Sequence, residues 1–149
     1  TSGLAEWIGT AMSGLSGAPT WLMLLTVVTV VVFLTEVTSN TATTATLLPV
    51  LSGLALGLGE NPLLLCVPAA LAASCAFMLP PATPPNAVVF GSGHITIPQM
   101  ARAGVWLNFI CIAVLTVAAY AGVMAVFEIT AGVVPDWAKK PLYILPGYY

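Results

Sequence analysis

Long apolar stretches with almost no charge constrain the fold of this chain more than any other feature. Charged residues make up 5% of the 149 residues, compared with about a quarter in a typical soluble domain. A soluble globule could not cover its surface with so few polar groups. We therefore predict an all-α integral membrane protein that uses lipid as its solvent. Between positions 21 and 129 the charged residues are Glu36, Glu60, Arg102 and Glu128.

A polar tract separates two apolar runs that are each too short to cross a bilayer. Trp21–Leu34 and Ala45–Leu58 have 14 residues each, whereas a complete crossing needs about 20. They flank the polar tract Thr35–Thr44. Two short apolar arms with a polar tip predict a re-entrant helical hairpin over residues 19–58. Non-helical backbone at that depth is tolerated only where it is buried in protein or lines a water-filled cavity.

A proline-rich tract interrupts the next apolar stretch. Four prolines lie within Pro80–Asn86, and this segment cannot be helical because each proline lacks an N–H and clashes with the preceding turn. We predict a discontinuous helix over residues 62–98, a form that transporters place at substrate sites. The apolar run 103–129 is then long enough for one full transmembrane crossing.

Both ends of the chain have the composition of a membrane interface. In residues 1–18, apolar side chains such as Leu4, Trp7 and Ile8 recur at helical spacing, which predicts an amphipathic arm helix lying in the interface. The tail, residues 134–149, places aromatic side chains beside lysines. Such a mixture is typical of the headgroup region.

The two polar breaks favour a binding site for an anion beside a cation. The N-terminus of a helix returning from a tip is electropositive and suits a carboxylate. The C-terminus of the entering helix presents carbonyl oxygens, which suit a hard cation such as Na⁺. A single hydroxyl in a membrane helix more often bonds to a carbonyl of the preceding turn. The presence of Asn40 in the first tract, together with a second break further along the chain, favours a binding site over such local bonding.

The remaining polar residues exclude several classes of function. With three basic residues there is no patch that could follow a nucleic acid backbone. One histidine, His94, and no paired carboxylates argue against an enzyme and against any histidine-based metal site. The cysteines lie in apolar runs and are predicted to be small buried hydrophobes. Glu36, at membrane depth, is either a coupling or hydrogen-bonding group of the site or an interfacial residue.

Two motifs resemble those of a known family. Thr35–Thr44 (TEVTSNTATT) and Phe77–Gly91 (FMLPPATPPNAVVFG) closely resemble the divalent anion–sodium symporter family, which includes sodium-dependent dicarboxylate and citrate transporters. The resemblance covers about Gly3 to Trp137. It implies that residues 19–133 form the carboxyl-terminal half of the transport domain in an inverted-repeat elevator transporter.

The resemblance also implies the residues of the site. Ser39, Asn40 and Thr41 match the second of the family's two Ser-Asn-Thr motifs, where the substrate carboxylate is held at the tip of the extracytoplasmic hairpin. Thr83 and Pro84 match the unwound loop that closes this site. Na⁺ is the one cofactor and metal that we expect, and the residues whose oxygens would bind it are Thr35, Thr38, Asn40, Ala82 and Pro84.

The implied function is sodium-coupled symport of di- or tricarboxylates of the succinate, malate or citrate class, in a plasma or bacterial inner membrane. The family moves a transport domain against a dimeric scaffold. The amino-terminal repeat and the scaffold are missing from the matched region, so we expect a fragment or one chain of a split transporter, inactive alone. The alternatives are a structural or assembly subunit of a larger membrane complex, and a carboxylate exchanger that does not use sodium.

Overall fold

The computed structural model describes residues 18–139, and within these residues every regular element is helical. The predicted arm helix, apart from Ala18, and the tail beyond Lys139 lie outside the described residues. A long helix, α5, runs over Ile97–Val126 and contains a π-helical turn at Ala119–Val123. The other helices are α1 (Thr20–Thr35), α2 (Asn40–Gly57), α3 (Pro62–Ala72), α4 (Pro84–Gly91) and the short α6 (Asp136–Lys139).

The turn between α1 and α2 is shorter than the polar tract that predicts it. The Thr43 N–H donates to the Ser39 carbonyl (2.8 Å), and the Thr44 hydroxyl donates to the Asn40 carbonyl (2.8 Å). These bonds make Asn40–Thr44 the first turns of α2. The tip therefore narrows to residues 36–39, because hydroxyl side chains that bond within the helix can be polar and helical at once.

Helix α3 forms the centre of the bundle and packs against α1, α2 and α5. It begins at Pro62, a residue suited to the first helical position, and the Asn61 side chain accepts the Leu63 N–H (3.0 Å). Leu64 and Leu65 are completely buried. The helix ends at Ala72 although apolar sequence continues to Leu79, so the break between α3 and α4 spans residues 73–83 and is longer than the predicted 80–86.

Helix α5 begins earlier than the predicted residue 103. The Thr96 N–H and hydroxyl both donate to Gln99 Oε1 (2.9 Å each), so the turn before the apolar run is already helical. The helix ends at Val126, three residues before the predicted 129. Within the described part of the chain, α5 is the one helix long and apolar enough to cross a bilayer. Only 17% of its most apolar stretch of 18 residues is buried. Its outward face carries large apolar side chains such as Trp106 and Val117.

Candidate functional site

The non-helical segment 73–83 is partly buried, and side chains from two helical elements bond to its backbone. Buried backbone N–H and C=O groups need partners, and outside regular structure these are supplied by side chains or water. Here Thr35 and Glu36 reach the segment from the end of α1, and Asn86 reaches it from α4. The first polar break therefore contacts the second.

Glu36 bonds to the loop through its carboxylate. Its Oε1 accepts the N–H groups of Phe77 (2.8 Å) and Met78 (3.1 Å), and its Oε2 accepts those of Met78 (3.0 Å) and Leu79 (3.3 Å). The side chain is 4% exposed. Within residues 18–139 no lysine or arginine pairs with it, since the ion pair found there joins Lys139 to Asp136. Amide donors thus take the place of a counter-charge, and hydrogen bonds to a charged group are stronger than neutral ones.

Thr35 joins the tip to the start of the loop. Its hydroxyl lies 2.7 Å from the Ala73 carbonyl oxygen and 2.7 Å from Asn40 Oδ1. One hydroxyl proton serves one acceptor at a time. Rotating the Asn40 amide by half a turn satisfies both contacts, because Thr35 then donates to Ala73 and accepts from the Asn40 NH₂ group.

Two further contacts hold the loop from the other side. Asn86 Nδ2 donates to the carbonyl oxygens of Ala76 and Leu79 (3.0 Å each). Gly104 of α5 lies directly against the loop backbone: a Cβ at this position would be 2.5 Å from the Phe77 carbonyl oxygen and 2.6 Å from the Met78 Cα. Only a glycine permits this approach of helix and loop.

The predicted substrate residues divide between the two breaks. Ser39 is the N-cap residue of α2 and its side chain makes no capping bond, and Thr41 is exposed in the first turn. Thr83 is the N-cap residue of α4 and accepts the Asn86 N–H at 3.4 Å, followed by the exposed Pro84. Among residues 18–139 no hydrogen bond joins the Ser39–Thr41 group to Thr83 or Pro84.

The predicted sodium ligands are partly engaged in the fold. Thr35 and Asn40 contact each other as described. The Thr38 hydroxyl donates to the Leu34 carbonyl (2.8 Å) and also contacts the Thr43 hydroxyl. Ala82 is buried. The Thr38 hydroxyl is therefore already engaged by contacts with the end of α1 and the start of α2.

Asn108 is a residue of this region that the sequence patterns do not indicate. It lies on α5, is completely buried, and donates from Nδ2 to Glu36 Oε1 at 2.8 Å. Its role depends on a contact between residues 72 positions apart, so no local pattern could reveal it. The sequence does show that position 108 is an amide in the middle of an apolar run of membrane length, and this is the one feature that could have drawn attention to it.

Comparison with known proteins identifies the family. Residues 1–127 match the family described as "Sodium:sulfate symporter transmembrane region". The chain is 50% identical over 119 residues to the sodium-dependent dicarboxylate transporter SdcS of Staphylococcus aureus strain USA300, and equally to SdcS of strains NCTC 8325 and COL. The matched region is 80% of this chain and 23% of each relative.

These relatives are transporters, in agreement with the prediction that the chain is not an enzyme. Their family is one of integral membrane proteins, which agrees with the apolar helices of this chain. The family match covers most of the chain. The chain belongs to the divalent anion–sodium symporter family.

Proposed function

We propose that this chain supplies the second half of the substrate and sodium site of a symporter that couples Na⁺ entry to the transport of di- or tricarboxylates. The observation that carries the proposal is the contact between the two polar breaks. Thr35 bonds to Ala73, and Glu36 bonds to the backbone of Phe77–Leu79. Two interrupted helices that meet in this way bring their free backbone groups to one place.

The N-terminus of α2 is the part suited to the carboxylate. The first N–H groups of a helix have no partner within it, and the helix dipole makes this end electropositive. Ser39 and Thr41 add hydroxyl groups beside these N–H groups, and both are exposed. Since backbone N–H groups and hydroxyls hold anions at such helix ends, the site needs no lysine or arginine.

The second break is suited to the cation. Pro84 and Pro85 have no N–H, and the Asn86 N–H is directed to the Thr83 hydroxyl. The start of α4 therefore offers few donors to an anion, whereas the Ala82 and Pro84 carbonyls are hard oxygen ligands of the kind Na⁺ prefers. We propose that these carbonyls bind Na⁺ together with oxygens of Thr35, Thr38 and Asn40.

The wider architecture belongs to the same proposal. The chain spans 23% of the length of the relatives it matches. We propose that the assembled transporter also contains an amino-terminal repeat and a scaffold, and that it is a homodimer. In that assembly α1 and α2 form the re-entrant hairpin, and the interrupted pair α3 and α4 faces it. An elevator motion then carries the site across the membrane. SdcS is named as a dicarboxylate transporter, which favours dicarboxylates such as succinate and malate over citrate.

The test is uptake of radiolabelled succinate into proteoliposomes that contain the assembled transporter including this chain. With NaCl outside and KCl inside, we expect uptake above the external concentration, and we expect none when external Na⁺ is replaced by K⁺. Uptake that ignores Na⁺ but requires unlabelled succinate inside would identify an exchanger. No succinate uptake under either condition, from folded and reconstituted protein, would favour an assembly subunit.

A further inference from the structure

Asn108 lies at the junction of α5, the hairpin tip and the second break, and the proposed transport function gives it no direct role. It is completely buried, and its Nδ2 is 2.8 Å from Glu36 Oε1. Gly104 lies one helical turn earlier and therefore on the same face of α5. At Gly104 the helix touches the backbone of Phe77 and Met78. One face of α5 thus contacts both the carboxylate and the loop that this carboxylate holds.

An asparagine at position 108 costs free energy if its only role is to fill space in the bundle. Its Oδ1 is buried and has no hydrogen-bond partner among residues 18–139, and an unpaired buried carbonyl costs about 1–3 kcal/mol. A leucine of similar size would fill the space without this cost. The Nδ2 group, which completes the donor shell of Glu36, is what distinguishes asparagine from leucine here.

Glu36 transmits the position of Asn108 to the loop. Three donors converge on Oε1, from Phe77, Met78 and Asn108, and two converge on Oε2, from Met78 and Leu79. The Asn108 donor is the one that comes from outside the loop. Without it, only N–H groups of the loop itself bond to the carboxylate, and no hydrogen bond from α5 fixes its orientation.

We propose that Asn108 is a positioning residue for the carboxylate and sodium site. Its amide fixes the Glu36 carboxylate, Glu36 fixes the backbone of Phe77–Leu79, and the second break is thereby held in register with the Thr35–Asn40 tip. This inference rests on the proposed transport function. Asn108 itself touches neither ion.

The experiment measures initial rates of succinate uptake by the assembled transporter at varied Na⁺ concentrations. Asn108→Leu and Glu36→Gln should each raise the Na⁺ concentration for half-maximal uptake about tenfold, as expected for the loss of a hydrogen bond to a charged group. The maximal rate per folded protein should fall by less than about threefold, because the ligating oxygens remain.

A double variant tests the pair itself. In Glu36→Gln/Asn108→Leu both partners of the contact are changed, so the double variant shows whether Asn108 acts through Glu36. We expect half-saturation by Na⁺ to stay within about threefold of the larger single shift, whereas independent effects would multiply to about a hundredfold. The matched control is Glu60→Gln, a carboxylate that is 7% exposed and accepts the Gly132 N–H at 2.9 Å, and it should leave half-saturation unchanged.

Hydrogen exchange gives a readout that does not depend on transport. In Asn108→Leu the amides of Phe77–Leu79 should exchange about tenfold faster, with the Gly132 amide unchanged, and Glu60→Gln should give the opposite pattern. Normal half-saturation by Na⁺ in Asn108→Leu, in a transporter that is otherwise sodium-dependent, would overturn the positioning role alone. An equal shift in Glu60→Gln, or shifts that multiply fully in the double variant, would also overturn it. Wild-type uptake without sodium dependence would instead overturn the proposed function together with this role.

Discussion

The hydroxyl of Thr35 lies 2.7 Å from the carbonyl oxygen of Ala73, which is 38 positions further along the chain. Thr35 is the last residue of α1 and Ala73 is the first residue after α3. This bond, in a completely buried position, attaches the end of α1 to the loop between α3 and α4. The two polar breaks are therefore parts of one structure and not two separate helix irregularities.

The Thr35 bond can be removed with little change in shape by Thr35→Val. Because the valine leaves the Ala73 carbonyl without a partner, we expect a loss of about 1–3 kcal/mol in unfolding free energy. The same change at Thr29 is the control, since its hydroxyl bonds only to the Leu25 carbonyl one turn earlier in α1, and we expect a loss below about 0.5 kcal/mol. Chemical denaturation in detergent measures both, and equal losses would show that the bond to Ala73 has no special weight.

Asn86 supports the loop from the side of α4. Replacing it by leucine removes the donor of two hydrogen bonds, to Ala76 and Leu79, and leaves the Ala76 carbonyl unpaired, whereas the Leu79 carbonyl still accepts the Ala82 N–H at 3.2 Å. We expect a destabilisation of about 1–3 kcal/mol and faster proteolysis within residues 73–83. Limited proteolysis with mass spectrometry checks this, and an unchanged cleavage rate would contradict a supporting role for Asn86.

Gly104 allows α5 to contact the loop, and Gly104→Ala tests that contact. A Cβ there would clash with backbone atoms of Phe77 and Met78, which cannot move aside by a side-chain rotation. We expect a lower thermal midpoint and a loss of about 1–3 kcal/mol. Gly122→Ala on the same helix is the control, because nothing lies within 4 Å of its Cβ position, and it should be neutral or slightly stabilising.

The local patterns of the sequence predict the helices better than they predict where the helices end. Short apolar runs and prolines indicate the interrupted elements, but the polar residues Asn40–Thr44 are also helical. The Thr43 N–H bonds to the Ser39 carbonyl, and the Thr44 hydroxyl bonds to the Asn40 carbonyl. The earlier start of α5 depends on Thr96 and Gln99, a capping pattern that lies outside the apolar run. Hydropathy alone does not register such caps.

The end of α3 and the partners of Glu36 could not be predicted from local sequence. Residues 73–79 are apolar and could continue the helix, but their backbone bonds instead to Thr35, Glu36 and Asn86. The bond from Asn108 to Glu36 spans 72 positions. Such contacts exist only after the helices have packed, so a single sequence without structure contains no direct sign of them.

Asn40 provides the most direct test of the proposed site, because its side-chain oxygen contacts the Thr35 hydroxyl and we propose that this oxygen binds both substrate and Na⁺. The measurement is sodium-dependent succinate uptake by the assembled transporter carrying Asn40→Ala, compared with Asn61→Ala. Asn61 is an equally small buried amide that caps α3 away from the tip, and its loss should cost about 1 kcal/mol of stability with uptake retained. We predict that uptake falls to background in Asn40→Ala at normal expression. Wild-type uptake in that variant would contradict the assignment of the site.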